Sequence, residues 1–121
     1  MSQCQANPAY AEKIARTLVN NWKLAKQIAN FRGAEFLAIL PPVISMDKPN
    51  NYYITEDFDG SDWLAVYPHV LQIKQNEQLE WIHDFTDSFD GPAFIYIDSC
   101  HTNNLGNHII AQRISQILEI R

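Results

Sequence analysis

The stretch that most constrains the fold is the C-terminal third, where a strand pattern gives way within a few residues to a helix pattern. Residues 93–97, Ala-Phe-Ile-Tyr-Ile, follow a Gly-Pro break at 91–92 and form a short β-branched and aromatic run, which is typical of a strand. From about residue 103 or 104 to residue 119, apolar residues recur at three- and four-residue steps, which predicts an amphipathic helix. Its apolar positions are Leu105, Ile109, Ile110, Ile114, Ile117 and Leu118. This pattern predicts an α/β protein, and in open α/β sheets the end of such a strand is where ligands bind.

The N-terminal third shows the same alternation of helix and strand. A helix is predicted from Pro8, a residue suited to a first turn, to a C-terminal Gly33. We expect this helix to pack on a sheet through one apolar stripe and Trp22 to lie in the core. The stripe consists of Tyr10, Ile14, Leu18, Trp22, Ala25 and Ala29. Residues 34–40 then form a near-continuous apolar run, which is typical of a strand covered on both faces and favours a parallel sheet.

The middle of the chain predicts further elements of the same kind. Residues 62–78 have helical character, and Pro68 is expected to divide them into two short segments. Residues 79–85 suit a strand near a sheet edge. The sequence therefore predicts an α/β fold of three layers, α/β/α, around a short parallel sheet. Residues 45–61 have no regular pattern, and an acidic cluster in and beside this stretch is expected to form a solvated loop: Glu56, Asp57, Asp59 and Asp62.

Asp98 and His101 are the candidate catalytic residues, in the turn Asp98-Ser-Cys-His101. A carboxylate at this position can accept the Nδ1–H of the imidazole, which leaves Nε2 free to take a proton from a hydroxyl. The nearby helix N-terminus disfavours the imidazolium and helps to keep the resting ring neutral. The alternative is that Asp98 only closes the turn and His101 is an ordinary loop residue. Gly106, near the helix start, is interpreted as allowing close backbone approach.

Residues 96–114 resemble the last sequence block of the SGNH (GDSL-type) hydrolases, which reads roughly Y-I-D-x-x-H-x-N-x-x-G-N-x-x-I-A-x-x-I. Residues 10–44 are similar to that family's penultimate helix and fourth strand, and residues 81–89 to its fifth strand. The resemblance implies a single, partial domain over residues 1–121, like the C-terminal half of the flavodoxin-like SGNH fold. It also implies that Asp98 and His101 are the acid and base of a Ser-His-Asp triad acting on an ester of a carbohydrate or small alcohol. In that family an insertion near the substrate corresponds to the region of Tyr52 and Tyr53, which form either a lid or a loop that packs its own aromatics.

The family's nucleophile and oxyanion blocks are absent from this sequence. None of the six serines follows Gly-Asp after an apolar strand: Ser2, Ser45, Ser61, Ser88, Ser99 and Ser115. We therefore expect the chain to supply an acid–base pair and to be nearly inactive in isolation, because losing the nucleophile of a triad costs on the order of a million-fold in turnover. The alternative is a non-catalytic, truncated or degenerate domain that acts in binding or assembly. Uncovered sheet edges and helix faces would favour self-association or a complementing chain.

Composition and motifs exclude several other classes. A net charge of −5 and the lack of a Lys/Arg cluster argue against nucleic acid, and Pro41-Pro42 stands where a flavodoxin-like binding domain needs a phosphate loop. The N-terminus has no signal-peptide pattern, and the longest apolar run, nine residues from Phe36 with two prolines, is too short to span a membrane. Compartment is not predicted. Cys4 and Cys100 lack metal-type spacing, Cys100 is interpreted as a filler position, and Asp98, His101 and His108 do not match a zinc pattern, so no metal and no cofactor are expected.

Overall fold

The structure, a computed structural model, describes residues 1–45 and 60–119. Its elements in chain order are α1 (Gln3–Ala6), α2 (Pro8–Phe31), β1 (Ala38–Leu40), α3 (Ser61–Glu77), β2 (Ile82–Asp84) and α4 (Asn104–Glu119). The interpretations of the aromatic pair at 52–53 and of the acidic residues at 56, 57 and 59 lie outside the described residues. The chain divides into two compact units. The first unit is Met1–Leu40 with Ser61–Asp84, and the second unit is the described part of Pro41–Gly60 with Phe85–Arg121.

Local signals define both N-terminal helices. The Ser2 hydroxyl accepts from the Gln5 N–H at 3.2 Å, and the Gln5 side chain accepts from the Ser2 N–H, so a capping box begins α1. The Asn7 side chain accepts from the Tyr10 N–H at 3.3 Å and caps α2, whose first residue is proline. Gly33 follows the C-cap with φ of +77°, a left-handed conformation that glycine adopts without strain. The predicted helix from Pro8 to the glycine is confirmed.

The buried face of α2 differs from the predicted one by one residue. Ala11, Ala15 and Val19 are buried, whereas Tyr10 is 41% exposed and the expected core residue Trp22 is half-buried. The physical reason is that α2 packs mainly against α3 rather than on the sheet. Small side chains at four-residue spacing allow two helices to approach closely, and the larger ones then lie at the margin of the contact.

Helix α3 is continuous, so the prediction that Pro68 divides it into two segments was wrong. Pro68 lies inside the helix and is exposed to solvent. Residues on both sides of it are buried: Val66, Tyr67, Val70 and Ile73. Their burial offsets the hydrogen bond that proline cannot make. At the C-terminal end, Glu77 pairs with Arg16 and Lys23 of α2.

The sheet of the first unit is parallel, as the apolar run predicts. β1 pairs with β2 in the register Ala38↔Ile82, Ile39↔His83 and Leu40↔Asp84, and α3 lies between the two strands in sequence. Both strands span three residues and are shorter than the patterns suggest. Phe36 and Trp81 extend the contact beyond the strand ends with an edge-to-face ring pair at 5.8 Å. The described residues thus form a mixed α/β structure with four helices and a two-stranded parallel sheet.

The second unit is built around a small apolar cluster. Its buried members are Ile44, Phe89, Ile95 and Tyr96, with Ile109 and Ile110 of α4 packed against them. Phe89 and Tyr96 meet edge to face with ring centroids 5.4 Å apart. Arg113 of α4 donates to Asp87 and Ser88 at 2.8 and 2.7 Å, and its guanidinium lies 4.2 Å from the Phe85 ring centroid. These contacts fix the 85–89 segment to α4.

The predicted strand at 93–97 is not a strand of the described structure. Tyr96 forms an isolated antiparallel bridge with Thr102, and the Ile97 N–H donates to the His101 carbonyl at 2.9 Å. The Asn103 N–H donates in turn to the Ile95 carbonyl at 2.9 Å. Residues 95–103 therefore double back on themselves, with Ile95 and Ile97 hydrogen-bonded to the segment that follows. The apolar pattern still predicted burial correctly for Ile95 and Tyr96.

Helix α4 has the predicted bounds but a poorly covered apolar face. Gly106 is its one buried residue within the described part. The isoleucines along the face are partly buried, and the leucines at its two ends, Leu105 and Leu118, are about half-exposed. Among the described residues, no helix is long and apolar enough to cross a bilayer.

Candidate acid–base site

The Asp98-Ser-Cys-His101 turn is closed by the side chain of its first residue. Asp98 Oδ1 accepts from the backbone N–H of Cys100 at 2.9 Å and from that of His101 at 2.7 Å. Aspartate commonly closes turns in this way, because its short carboxylate reaches N–H groups two and three residues ahead. This part of the geometry agrees with the structural alternative considered for the D-x-x-H pattern.

The second carboxylate oxygen of Asp98 contacts the imidazole. Oδ2 lies 2.7 Å from Nδ1 of His101. In the neutral ring this contact places the proton on Nδ1 and leaves the lone pair on Nε2. The His101 side chain is 76% exposed, so a substrate can approach the ring. The structure thus brings the two predicted residues together, and Asp98 both closes the turn and contacts the imidazole at Nδ1.

The Asp98 carboxylate is strongly stabilised in its charged form. Hydrogen bonds from the backbone N–H groups of Cys100 and His101, followed by the contact with the His101 side chain, lower the pKa of Asp98 from 3.8 to about 2. A carboxylate that accepts several hydrogen bonds resists protonation. Asp98 is therefore an ionised acceptor at neutral pH, as a residue that orients a histidine must be.

The start of α4 fixes the position of this turn. The Asn103 side chain accepts from the Gly106 N–H at 3.0 Å, and its amide donates to the Phe94 carbonyl at 2.6 Å. A Cβ atom at Gly106 would lie 2.7 Å from Ile95 Cγ2 and 2.8 Å from Thr102 Cβ. The helix backbone at Gly106 can therefore pack this closely on Ile95 and Thr102 only because glycine has no side chain. The close approach interpreted for Gly106 is confirmed. The role of Asn103 was missed, although an asparagine just before a helix pattern is a recognised capping signal.

Cys100 lies closer to the site than its interpretation as a filler position implied. Its Sγ atom is exposed and lies 3.8 Å from Nδ1 of His101. The potential ligand atoms of Asp98, Cys100 and His101 all lie within 4.8 Å of one another. His108, the other histidine near this stretch, is exposed on α4 and is not part of this group. The three side chains of the turn are the described residues that could hold a metal ion here.

Two serines of the second unit, Ser88 and Ser45, are not hydrogen-bonded to His101. The Ser88 hydroxyl donates to the Phe85 carbonyl at 2.6 Å and accepts from Arg113. The Ser45 hydroxyl is buried and has no hydrogen-bond partner among the described residues. Neither side chain is hydrogen-bonded to His101, so neither occupies the position of an activated nucleophile.

The first unit contains a separate pocket of about 350 Å³. Tyr10, Trp63 and Tyr67 contribute aromatic walls, and Cys4 and Asp62 contribute polar groups. Burial, followed by the hydrogen bond with Asp62, raises the pKa of the Cys4 thiol. The thiol is therefore protonated and unreactive at neutral pH. The sequence did not indicate this pocket, because its walls come from segments about 50 residues apart.

The site consequently rests on its own geometry. Asp98 and His101, the pair singled out by the sequence, are in contact, their supporting residues come from the 94–107 segment, and Cys100 is an unexpected neighbour. In comparisons with known proteins, no family model, no curated protein and no solved structure matches this chain.

Proposed function

We propose that this chain supplies the acid–base pair of an SGNH-type ester hydrolase, with His101 as general base and Asp98 as the residue that orients it. The observation that carries the proposal is the 2.7 Å contact between Asp98 Oδ2 and His101 Nδ1. The other oxygen of the same carboxylate, Oδ1, accepts hydrogen bonds from two backbone N–H groups. An anchored acid and an exposed imidazole are what general-base catalysis on a hydroxyl requires.

In the proposed reaction, Nε2 of His101 removes the proton of a seryl hydroxyl while the oxygen attacks the ester carbonyl. Asp98 stabilises the resulting imidazolium, which then gives the proton to the departing alcohol. Water hydrolyses the acyl-enzyme by the same route and releases the carboxylic acid. The serine would come from polypeptide outside residues 1–121, since none of the six serines lies in a Gly-Asp-Ser block.

The proposed substrate class is an ester of a carbohydrate or small alcohol, which follows from the sequence resemblance. The exposure of the His101 side chain supports it, because an alcohol ester must reach Nε2 from solvent. The proposal includes the finer fold: the two-stranded parallel sheet and its helices would be part of a three-layer SGNH-like arrangement that further strands complete.

Hydrolysis of p-nitrophenyl acetate by the isolated chain tests the acid–base role. We expect slow hydrolysis by the wild type. In His101→Ala the rate should fall to the background hydrolysis by the buffer and the other histidines. His108→Ala is the matched control, because His108 is exposed on α4 and lies outside the acid–base pair; it should leave the rate within twofold of wild type. Equal rates for wild type and His101→Ala would contradict the proposal.

The tautomer of His101 tests the orienting role without any substrate. ¹⁵N NMR of the neutral ring should show the proton on Nδ1 in the wild type. Asp98→Asn keeps an acceptor oxygen for the backbone N–H groups but removes the charge, so a larger share of rings should carry the proton on Nε2. An unchanged tautomer ratio would show that Asp98 does not orient the ring.

A second candidate function, a non-catalytic domain for binding or assembly, is favoured by exposed apolar side chains in the second unit. Phe94, Ile97, Leu105 and Leu118 are each about half-exposed or more. Large exposed apolar groups of this kind commonly mark interaction surfaces. Size-exclusion chromatography with light scattering distinguishes the two: self-association together with no histidine-dependent hydrolysis would favour assembly over catalysis.

A further inference from the structure

The acid–base turn also brings together three different kinds of metal ligand within four residues. Asp98 offers a carboxylate oxygen, Cys100 a sulfur and His101 a ring nitrogen, all within 4.8 Å of one another. We propose that these three side chains form a binding site for a thiophilic divalent ion such as Zn²⁺, through Oδ2, Sγ and Nδ1. This departs from the sequence-based expectation of no metal, which treated Cys100 as a filler position.

The separations suit a tetrahedral ion. With Zn–S of about 2.3 Å and Zn–N of about 2.0 Å, a tetrahedral angle places sulfur and nitrogen about 3.5 Å apart. The observed distance from Cys100 Sγ to His101 Nδ1 is 3.8 Å. The carboxylate oxygen and Nδ1, now 2.7 Å apart, would separate to about 3.3 Å as an ion of this radius replaced the hydrogen between them. A small rotation of exposed side chains accomplishes both changes.

The turn is preorganised for this role because its backbone is held by hydrogen bonds that do not use the three proposed ligand atoms. Asp98 Oδ1 is already occupied by two backbone N–H groups, which leaves Oδ2 as the oxygen that faces the proposed ion. The Ile97 N–H to His101 carbonyl bond closes the same loop. Three protein ligands leave a fourth position for water, and both Cys100 and His101 are exposed to solvent. A mixed set of sulfur, nitrogen and oxygen ligands favours zinc-like ions over magnesium or calcium.

Metal binding and general-base catalysis would exclude one another at this site. The thiol of Cys100 releases its proton to solvent when sulfur binds the ion. The neutral imidazole, bound through Nδ1, carries its proton on Nε2 and has no lone pair left to accept another. This consequence for catalysis rests on the proposed function, whereas the binding itself does not.

Titration of the full chain with Co²⁺ under anaerobic conditions tests the site directly. Thiolate bound to Co²⁺ gives a near-ultraviolet charge-transfer band, which an oxygen- or nitrogen-only site lacks. We expect this band in the wild type, its loss in Cys100→Ser, and at least a tenfold rise in the half-saturating Co²⁺ concentration in His101→Ala and Asp98→Asn. One equivalent of Zn²⁺ should abolish the band by displacement.

Two matched variants control for the other cysteine and for an exposed histidine. Cys4→Ser and His108→Ala should leave the half-saturating concentration within twofold of wild type. A wild type without the band at millimolar Co²⁺, a band retained in Cys100→Ser, or a band insensitive to His101→Ala would each overturn the proposal. If p-nitrophenyl acetate hydrolysis does not depend on His101 but the band behaves as expected, the metal site stands and the hydrolase proposal fails.

Discussion

The two units of the molecule hold a charged carboxylate by different means. In the first unit, Glu77 at the end of α3 is bound by Arg16 and Lys23 from α2, so two helices far apart in sequence are joined by charged side chains. In the second unit, Asp98 is bound mainly by backbone N–H groups of its own turn. The first arrangement ties elements together, whereas the second fixes one local geometry, which is what a site for acid–base chemistry needs.

The units differ in the same sense in their apolar packing. The first unit buries long stretches of two helices against each other, and its parallel strands add fully buried side chains such as Leu40 and Ile82. In its described part, the second unit has a cluster of four buried residues, and residues 94–107 add local hydrogen bonds. We therefore expect the first unit to be most sensitive to lost apolar contacts and the second to changes in its close backbone contacts.

Truncation of Ile82 should have the largest effect. Ile82 is completely buried on β2 and pairs with Ala38, so Ile82→Ala removes packed methyl groups and leaves a cavity at a cost of about 2–5 kcal/mol. Chemical denaturation followed by circular dichroism measures this loss. The control is Ile28→Ala on α2, where the side chain is 61% exposed and the expected change is within about 0.5 kcal/mol. Equal effects of the two variants would contradict the assigned core.

Gly106→Ala should have the next largest effect on the free energy of unfolding. The sign of this change tests whether close backbone contacts stabilise the second unit. Alanine favours a helix over glycine by about 1 kcal/mol, but the new Cβ would lie 2.7 Å from Ile95 Cγ2 and 2.8 Å from Thr102 Cβ. Overpacking of this kind costs about 1–3 kcal/mol, so we expect net destabilisation of the protein. Ser115→Ala, at an exposed position of the same helix, is the control and should be neutral or slightly stabilising. A stabilised Gly106→Ala protein would show that residues 95–106 pack loosely.

The sequence predicted the elements better than their packing. The bounds of α2 follow from Pro8, Gly33 and a long apolar period, and those of α4 follow from its apolar period, all of which are local signals. The predicted buried face of α2 differs from the observed one by one residue. The small side chains of Ala11 and Ala15 contribute little to an apolar pattern, although they face a neighbouring helix. Pro68 was overrated as a helix breaker, since tertiary burial around it outweighs a local cost.

The candidate site was predicted in its residues but not in its surroundings. Spacing alone suggests that Asp98 reaches His101, because a carboxylate and a ring three residues apart in a turn are neighbours. In the described residues the segment predicted as a strand at 93–97 instead doubles back on residues 101–103, through the Ile97 N–H to His101 carbonyl bond and the Asn103 N–H to Ile95 carbonyl bond. The proximity of Cys100 Sγ to the ring depends on side-chain torsions, which no sequence pattern encodes.

Asn103→Ala tests whether polar contacts, rather than apolar ones, maintain the turn before α4. The change removes the cap of the Gly106 N–H and the donor to the Phe94 carbonyl, for an expected loss of about 0.5–2 kcal/mol. Asn104→Ala is the control, because Asn104 is the first residue of the helix and is exposed. Amide hydrogen exchange should show faster exchange of the Gly106 N–H in Asn103→Ala than in the control. Identical stability and exchange in the two variants would contradict the capping role.

The smallest expected effect is the difference between the Glu77 and Asp98 carboxylates in how acid and salt change them. Hydrogen bonds from Lys23 and then Arg16 lower the pKa of Glu77, whereas backbone N–H groups are the leading cause of the pKa of about 2 at Asp98. Because both folded-state pKa values lie below the ordinary ones, each group stabilises the fold above its ordinary pKa. That contribution is lost as pH falls, for Asp98 between about pH 4 and pH 2.

Salt distinguishes the two causes, because it screens exposed charges but has little effect on hydrogen bonds from neutral backbone groups. Raising NaCl from 0.05 to about 1 M shortens the Debye length to about 3 Å, so the pKa of Glu77 should rise toward its ordinary value while that of Asp98 changes less. Side-chain ¹³C NMR titration measures both carboxylates in one sample, and Lys23→Met should raise the pKa of Glu77 alone. If salt raised the pKa of Asp98 as much as that of Glu77, charged neighbours rather than the backbone N–H groups of the turn would be the main stabilisation of the Asp98 carboxylate, and the contrast between the two units would fail.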